Sequence, residues 1–225
     1  MSSGRPSIAR PGSEVVGFVL AGGKSSRMGQ DKALLSLAGQ TLAGRALSIL
    51  TAAGLPASLA GASPTLATLA PVIQDNQLSQ GPLAGICAAL ESTQARWAVF
   101  LSVDLPFLLP SLINYFVRHA QLSGSLVTLP AINGFPQTFP VVLAREALPS
   151  LAADLAVGRR GCYSAFRSAA SAAGQPVTVL PVEMLVQAGQ LNHPEETPAY
   201  RWFLNLNTPA DFDRAQDFAA NSRIA

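Results

Sequence analysis

Leu20-Ala21-Gly22-Gly23-Lys24-Ser25-Ser26-Arg27-Met28-Gly29-Gln30-Asp31-Lys32 is the stretch around which the chain is organised. It follows an apolar run, Val15 to Leu20, whose β-branched residues mark a buried strand. Glycines let the backbone bend sharply there and lie close to a ligand. Successive backbone N–H groups make a concave anion site, and lysine and arginine add positive charge. A strand that opens into glycines, hydroxyls and cations is expected to hold phosphates at its end. Two familiar phosphate loops are excluded by position. A Walker A loop, G-x-x-x-x-G-K-[ST], would need glycine at position 18 to use Gly23-Lys24-Ser25, and that residue is Phe18. A dinucleotide fingerprint, G-x-G-x-x-G, is not produced by Gly22-Gly23 followed by Gly29.

Strand and helix signals alternate beyond this loop. Thr41 fits an N-cap ahead of the stripe Leu42, Ala46, Leu47, Ile49 and Leu50, and Gly54 fits the C′ position. Residues 55–60 and 72–75 read as short strands, with irregular chain over 61–69. Gly81-Pro82 opens a helix reaching Ser92, with Leu83, Ile86, Cys87 and Leu90 on one face. Residues 97–103 are nearly all apolar, as a strand covered on both faces requires. Pro110 fits the first position of the next helix, and a strand is expected over 126–129. This alternation predicts βαβ units and an α/β fold with a mostly parallel central sheet.

The C-terminal part is less regular. A hairpin strand is expected over 138–143 after the turn signal Asn133-Gly134, and helices over 145–156 and 160–172. A short strand over 177–180 and a surface loop over 187–200 follow. Residues 202–206 read as a last strand, and Thr208-Pro209-Ala210-Asp211 as a helix start.

The totals narrow the function classes. The 225 residues are 49% hydrophobic and 12% charged, which argues against disorder of the whole chain. A formal charge of +2 is too even to suggest a nucleic-acid or membrane surface. No apolar run approaches the roughly 18–20 residues that span a bilayer. Residues 1–14 read as a flexible tail on a cytoplasmic protein, and 15–225 as a single domain. Cys87 and Cys162 form no C-x-x-C pair, and His119 and His193 show no ligand spacing, so neither a disulfide framework nor a zinc site is supported.

Two further features bear on chemistry. Asp104 ends the apolar run 97–103, where ligands bind in open α/β sheets. A carboxylate there either holds a divalent cation against phosphates or caps the turn before Pro106. In Asn205-Leu206-Asn207, alternation puts both amides on one face, which a helix cap at Thr208 does not require.

The opening stretch, continued by Ala33-Leu34-Leu35, resembles the N-terminal motif L-A-G-G-x-x-x-R-M-G-x-D-K-x-L of Rossmann-like nucleotidyltransferases. Its Gly-Gly form most resembles the molybdenum cofactor guanylyltransferases (MobA-type). Asp104-Leu105-Pro106, Asp75 before Gly81-Pro82-Leu83-Ala84-Gly85, and Asn205-Leu206-Asn207-Thr208-Pro209 also match motifs of that family. Gly158-Arg159-Arg160-Gly161 is a weaker match.

The resemblance implies a three-layer αβα Rossmann-like domain, with nucleotide bound by about 15–110 and the acceptor by about 111–225. It implies transfer of GMP from GTP to molybdenum-bearing molybdopterin with release of pyrophosphate and Mg²⁺ as cofactor. The backbone of Leu20, Ala21, Gly22 and Gly23 would meet base and phosphates. Arg27 and Lys32 would meet the phosphates, Asp75 the guanine edge and Asp104 the metal. Asn205, Asn207, Arg159 and Arg160 would serve the acceptor side. GTP and molybdopterin are the implied partners, with room for proteins that deliver or receive the cofactor. Cytidylyl transfer to the same pterin, nucleotidyl transfer to a sugar phosphate, and a non-catalytic carrier remain open on the residues alone. The chain departs from the family at Leu59-Ala60-Gly61, where an Asn is common, and at Phe139-Pro140, where a His often precedes the proline.

Overall fold

The computed structural model describes residues 14–22, 31–61, 64–74 and 81–221. The elements in chain order are β1 (Val15–Leu20), β2 (Ser36–Leu37), β3 (Gln40–Thr41), α1 (Leu42–Ala52), β4 (Ala57–Ala60), β5 (Val72–Ile73), α2 (Pro82–Glu91), β6 (Trp97–Ser102) and α3 (Pro110–Ser123). They continue as β7 (Val127–Ile132), β8 (Phe135–Pro136), β9 (Val141–Ala144), α4 (Leu148–Ala156), α5 (Cys162–Ala172), β10 (Thr178–Pro181), α6 (Val182–Gln187), α7 (Ala199–Trp202) and α8 (Pro209–Asn221). The expected flexible tail over 1–14 falls outside the described residues up to position 13.

One sheet runs through both halves in the order β10-β7-β9-β6-β1-β4-β5, with β8 paired to β7. β1 lies between β4 and β6, parallel to both, and is buried along its whole length. Its central place explains why Val15 to Leu20 is apolar on both faces. β9 runs antiparallel between β6 and β7.

Helices cover both faces. A Cβ placed on Gly17 would come within 2.9 Å of the Leu50 side chain, so Gly17 faces α1. Leu20, of opposite parity on the strand, faces α2, whose Gly85 would bring a Cβ within 3.6 Å of it. α3 packs beside α1, and α4 packs beside α2 and α5, giving three layers. The core includes Phe18 stacked on Phe100 across β1 and β6, with centroids 5.4 Å apart. Cys87 and Cys162 are buried and unbonded. Burial, with a smaller charge contribution from neighbours, pushes their thiols up to about 11 and about 12, so both are inert.

Local signals hold where the chemistry is explicit. Thr41 accepts from the Gly44 N–H at 3.1 Å, and Gly54 takes a positive φ of 78°. Three expectations are corrected. Residues 64–68 form a 3-10 helix, Pro64–Thr68, inside chain read as irregular. The Asn133-Gly134 turn joins β7 to β8 rather than to 138–143, and only Val141–Ala144 of that run is strand. Residues 202–206 are not a strand: Trp202 ends α7, the Phe203 and Leu204 N–H groups turn back to the Tyr200 and Arg201 carbonyls, and the Leu206 N–H donates to the Asp104 carbonyl at 3.0 Å.

Candidate active site

The C-terminal ends of β1 and β6 lie side by side, with Leu20 paired to Ser102. Above them opens a cavity of about 640 Å³. Its floor is Leu20, Ala21 and Gly22 from the end of β1, and Ser102, Val103, Asp104 and Leu105 from the end of β6. Asp31, Lys32 and Ala33 close one side, with Pro82 at the start of α2. Gln137, Thr138, Phe139, Phe203, Asn205 and Asn207 complete the lining.

Gly22 has no room for a side chain. A Cβ there would lie 2.3 Å from the Gly61 carbonyl oxygen, a backbone atom that cannot swing away. This close approach of two backbones leaves the strand end flat and free of side chains where a ligand would meet it. Gly85 would place a Cβ 3.7 Å from the Gly61 nitrogen, so α2 begins against the same spot.

Lys32 projects from the 3-10 turn Lys32–Leu34, which Asp31 caps by accepting from the Ala33 N–H at 3.1 Å. Its Nζ stands 3.6 Å from Asp104 Oδ2 and donates to Asn207 Oδ1 at 3.4 Å. Both charged side chains are largely shielded, at 16% and 22% exposure, so their interaction is less screened than a surface pair. Three residues from distant stretches of the sequence, Lys32, Asp104 and Asn207, thus meet around one point.

The C-terminal segment keeps its alternation although it is not a strand. Phe203, Asn205 and Asn207 line the cavity while Leu206 is fully buried. A reciprocal cap fixes its exit into α8. The Asp211 carboxylate accepts from the Thr208 hydroxyl and N–H, both at 2.8 Å, and from the Asn207 N–H at 3.1 Å, and Thr208 Oγ1 accepts from the Asp211 N–H at 3.2 Å. Arg214 pairs with the other carboxylate oxygen. The Thr208 hydroxyl first, then Arg214, hold the Asp211 carboxyl down to about 2. A depressed carboxyl stabilises the fold fully above its unfolded pKa of about 4, and that contribution is lost as pH falls to about 2. Asp211→Ala should therefore melt below wild type at pH 6, with the gap closing between pH 4 and pH 2 in thermal melts.

Of the residues singled out in the sequence, Leu20, Ala21, Gly22, Lys32, Asp104, Asn205 and Asn207 share this cavity. Gly23, Arg27 and Asp75 lie outside the described residues. Arg159 and Arg160 do not line the cavity. They sit between α4 and α5, where Arg159 pairs with Asp154 at 2.9 Å. Gln137, Thr138 and Phe203 were not anticipated, because nothing in their local sequence distinguishes a cavity wall from ordinary loop.

A MobA-like NTP transferase domain model matches residues 17–173. The chain belongs to the MobA-like NTP transferase domain family. A probable molybdenum cofactor guanylyltransferase from Opitutus terrae is 32% identical over 190 residues, spanning 82% of this chain and 93% of that protein. The structure of molybdopterin-guanine dinucleotide biosynthesis protein A from Archaeoglobus fulgidus is similar with a TM-score of 0.74 at 23% identity, covering 92% of this chain and 99% of that one. Rv0371c from Mycobacterium tuberculosis, solved in complex with manganese, has a TM-score of 0.63 at 18% identity, over 90% and 98% of the two chains. Similarity at these identities speaks for the fold.

The donor set of this MobA-like domain fits a divalent cation. Asp104 offers a hard carboxylate oxygen, and Asn205 and Asn207 line the same cavity with amides. Among the described residues no group of three or more His, Cys, Asp or Glu could cage a metal. Such a cavity suits an ion that takes one or two protein oxygens and completes its shell with substrate phosphates and water. Among the described residues no helix is long and apolar enough to cross a membrane.

Proposed function

We propose that this MobA-like NTP transferase transfers GMP from GTP to molybdopterin bearing molybdenum, forming the guanine dinucleotide form of the cofactor and releasing pyrophosphate. The observation that carries the proposal is the meeting of Lys32 and Asp104 at 3.6 Å over the adjoining ends of β1 and β6. A terminal phosphate oxygen of the acceptor attacks the α-phosphorus in line. The new oxygen–phosphorus bond forms as the bond to the bridging α–β oxygen breaks, and pyrophosphate leaves with that electron pair. The nucleophile is already an anion at neutral pH, so no general base is required, and among the described residues no histidine lines the cavity. The residues therefore work by positioning and charge neutralisation.

In this reading Lys32, with Arg27, balances the β- and γ-phosphates and the leaving pyrophosphate. Asp104 would hold Mg²⁺, which would supply charge neutralisation when bound. The floor of Leu20, Ala21 and Gly22, with Gly23 beyond the described residues, would take base and phosphates, and Asp75 would accept from the guanine edge. Asn205 and Asn207 border the acceptor. Arg159 and Arg160 would reach it only from outside the cavity, beyond the α4–α5 turn. Proteins that deliver molybdopterin or receive the product would meet the open side of the same cavity.

The test is pyrophosphate release with each of the four nucleoside triphosphates, with and without molybdopterin, in the presence of Mg²⁺. Release is expected with GTP and only when the acceptor is present. Equal release with CTP, or none with GTP and acceptor together, would sink the proposal.

A further inference from the structure

Among the described residues, two aromatic side chains line the cavity, and both come from the later half of the chain. Phe139 arrives with the strand that closes β6. Val141 of β9 pairs with Phe100, and Phe139, two residues earlier, lines the cavity with Ser102, two residues beyond Phe100. The Gln137 N–H fixes this approach by donating to the Pro130 carbonyl at 2.8 Å. Phe203 arrives from the end of α7. The buried Trp202 beside it stacks on His193, with centroids 5.7 Å apart, and its indole N–H donates to the Thr197 carbonyl at 2.9 Å. Phe139 packs on the core and stays partly exposed, and Phe203 is 9% exposed.

Phosphates and a metal ion need charge and amide around them, as Lys32, Asp104 and Asn207 supply. Apolar ring surface facing water is unfavourable, and it is stabilised when a flat group covers it. Among the described residues Phe18, Phe107 and Trp202 each meet another ring, and Phe139 and Phe203 do not. The sheet order indicates which flat group would cover them. β9 lies on one side of β6, and β1, β4 and β5 lie on the other. The floor that would take the base, Leu20 to Gly22, extends β1. The end of β6 thus lies between that floor and Phe139. Phe203 belongs to the segment tied to the Asp104 carbonyl through the Leu206 N–H. A second substrate resting on these rings brings its phosphate to the α-phosphorus without crossing the base.

We propose that Phe139 and Phe203 form the acceptor subsite and bind the planar bicyclic head of the pterin by its faces, with Thr138 and Asn205 at its polar edge. The inference deepens the proposed function and rests on it for what the acceptor is. The experiment compares the full wild-type chain with Phe139→Ala, Phe139→Leu, Phe139→His and Phe203→Leu. It measures kcat/KM for molybdopterin at saturating GTP and Mg²⁺, GTP affinity by calorimetry, and a thermal melt. A free pterin without a phosphate is titrated as well, its binding followed by quenching of its own fluorescence.

Phe139→Ala should lose about tenfold in kcat/KM for molybdopterin and in affinity for the free pterin, the scale of one heterocycle stacked on an aromatic ring. Its GTP affinity should stay within about twofold of wild type. Phe139→Leu and Phe203→Leu, apolar but without a flat face, should each lose nearly as much. Phe139→His keeps a ring at this position and should stay within about threefold of wild type. Wild-type handling of the acceptor by Phe139→Ala would overturn the inference. So would a GTP affinity that falls as far as that for the acceptor, which would set the rings against the base. A Phe139→Leu that matches wild type would also overturn it. Should Phe139→Ala fail to fold, the leucine and histidine variants decide by the same comparisons. If wild type transfers no GMP yet binds the free pterin, and Phe139→Leu loses that binding, the proposed function fails and the subsite stands. If GMP is transferred with the same kcat/KM for molybdopterin in every ring variant, the subsite fails and the function stands.

Discussion

Asp104→Ala leaves the chain folded and lowers kcat for Mg²⁺-dependent GMP transfer about a thousandfold, the scale of several kcal/mol of metal-derived charge stabilisation. The fold survives because the Asp104 side chain sits in the cavity and not in the core, and the tie to the C-terminal segment uses its backbone carbonyl, which alanine keeps. Activity does not survive because, among the described residues lining the cavity, Asp31 is the sole other carboxylate. Asp31 also lines the cavity, but one of its oxygens is engaged by the Ala33 N–H. Among the described residues no other cluster of acids or histidines could take up the ion. The check is a Mg²⁺ titration of pyrophosphate release beside a thermal melt. Unchanged turnover with an unchanged melt would remove Asp104 from the metal site.

Lys32→Ala should weaken GTP binding about a hundredfold by calorimetry, with a melting temperature near wild type. At 4 Å a unit charge pair at an effective dielectric near 20 interacts by about 4 kcal/mol, and the desolvation of the lysine returns part of that. The ammonium is 16% exposed and rests between Asp104 and Asn207, so it is already partly stripped of water and aimed before any phosphate arrives. Its removal takes away a preorganised charge, whereas a mobile surface lysine would contribute little. An affinity equal to wild type would mean that Lys32 does not meet the phosphates.

The parts of the fold that could be read in advance were those whose signal is local or whose burial is two-sided. Val15 to Leu20 is apolar on both faces because β1 lies between β4 and β6 in mid-sheet, and Trp97 to Leu101 is apolar because β6 likewise lies inside the sheet, between β1 and β9. Caps at Thr41 and Thr208 involve residues three apart and were legible as such. The failures share one cause. The strand status of 202–206, the partner of the Asn133-Gly134 turn and the place of 141–144 all depend on what the chain meets beyond its local sequence. Alternation of side chains was right at 203–207 even though the strand was wrong, because an extended segment alternates with or without a ladder.

The candidate site was legible in proportion to its motifs. Lys32, Asp104 and Asn207 come from three distant stretches, and their convergence was implied only by resemblance; the topology supplies the reason, since adjacent parallel strands end on the same edge. Gln137, Thr138 and Phe203 carry no signature, because a wall residue is defined by where the backbone passes.

The antiparallel strand β9 has a consequence for how the molecule is made. β6 leaves one edge unpaired until Val141–Ala144 arrives, and β7 must wait for the same four residues before it joins the sheet. As the chain emerges during synthesis, β6, which leads into Asp104, is complete long before β9 exists. An open apolar edge in that interval invites pairing with another chain. The nucleotide-side strands β6, β1, β4 and β5 therefore have their outer edge closed only when β9, from the later half, has inserted between β6 and β7.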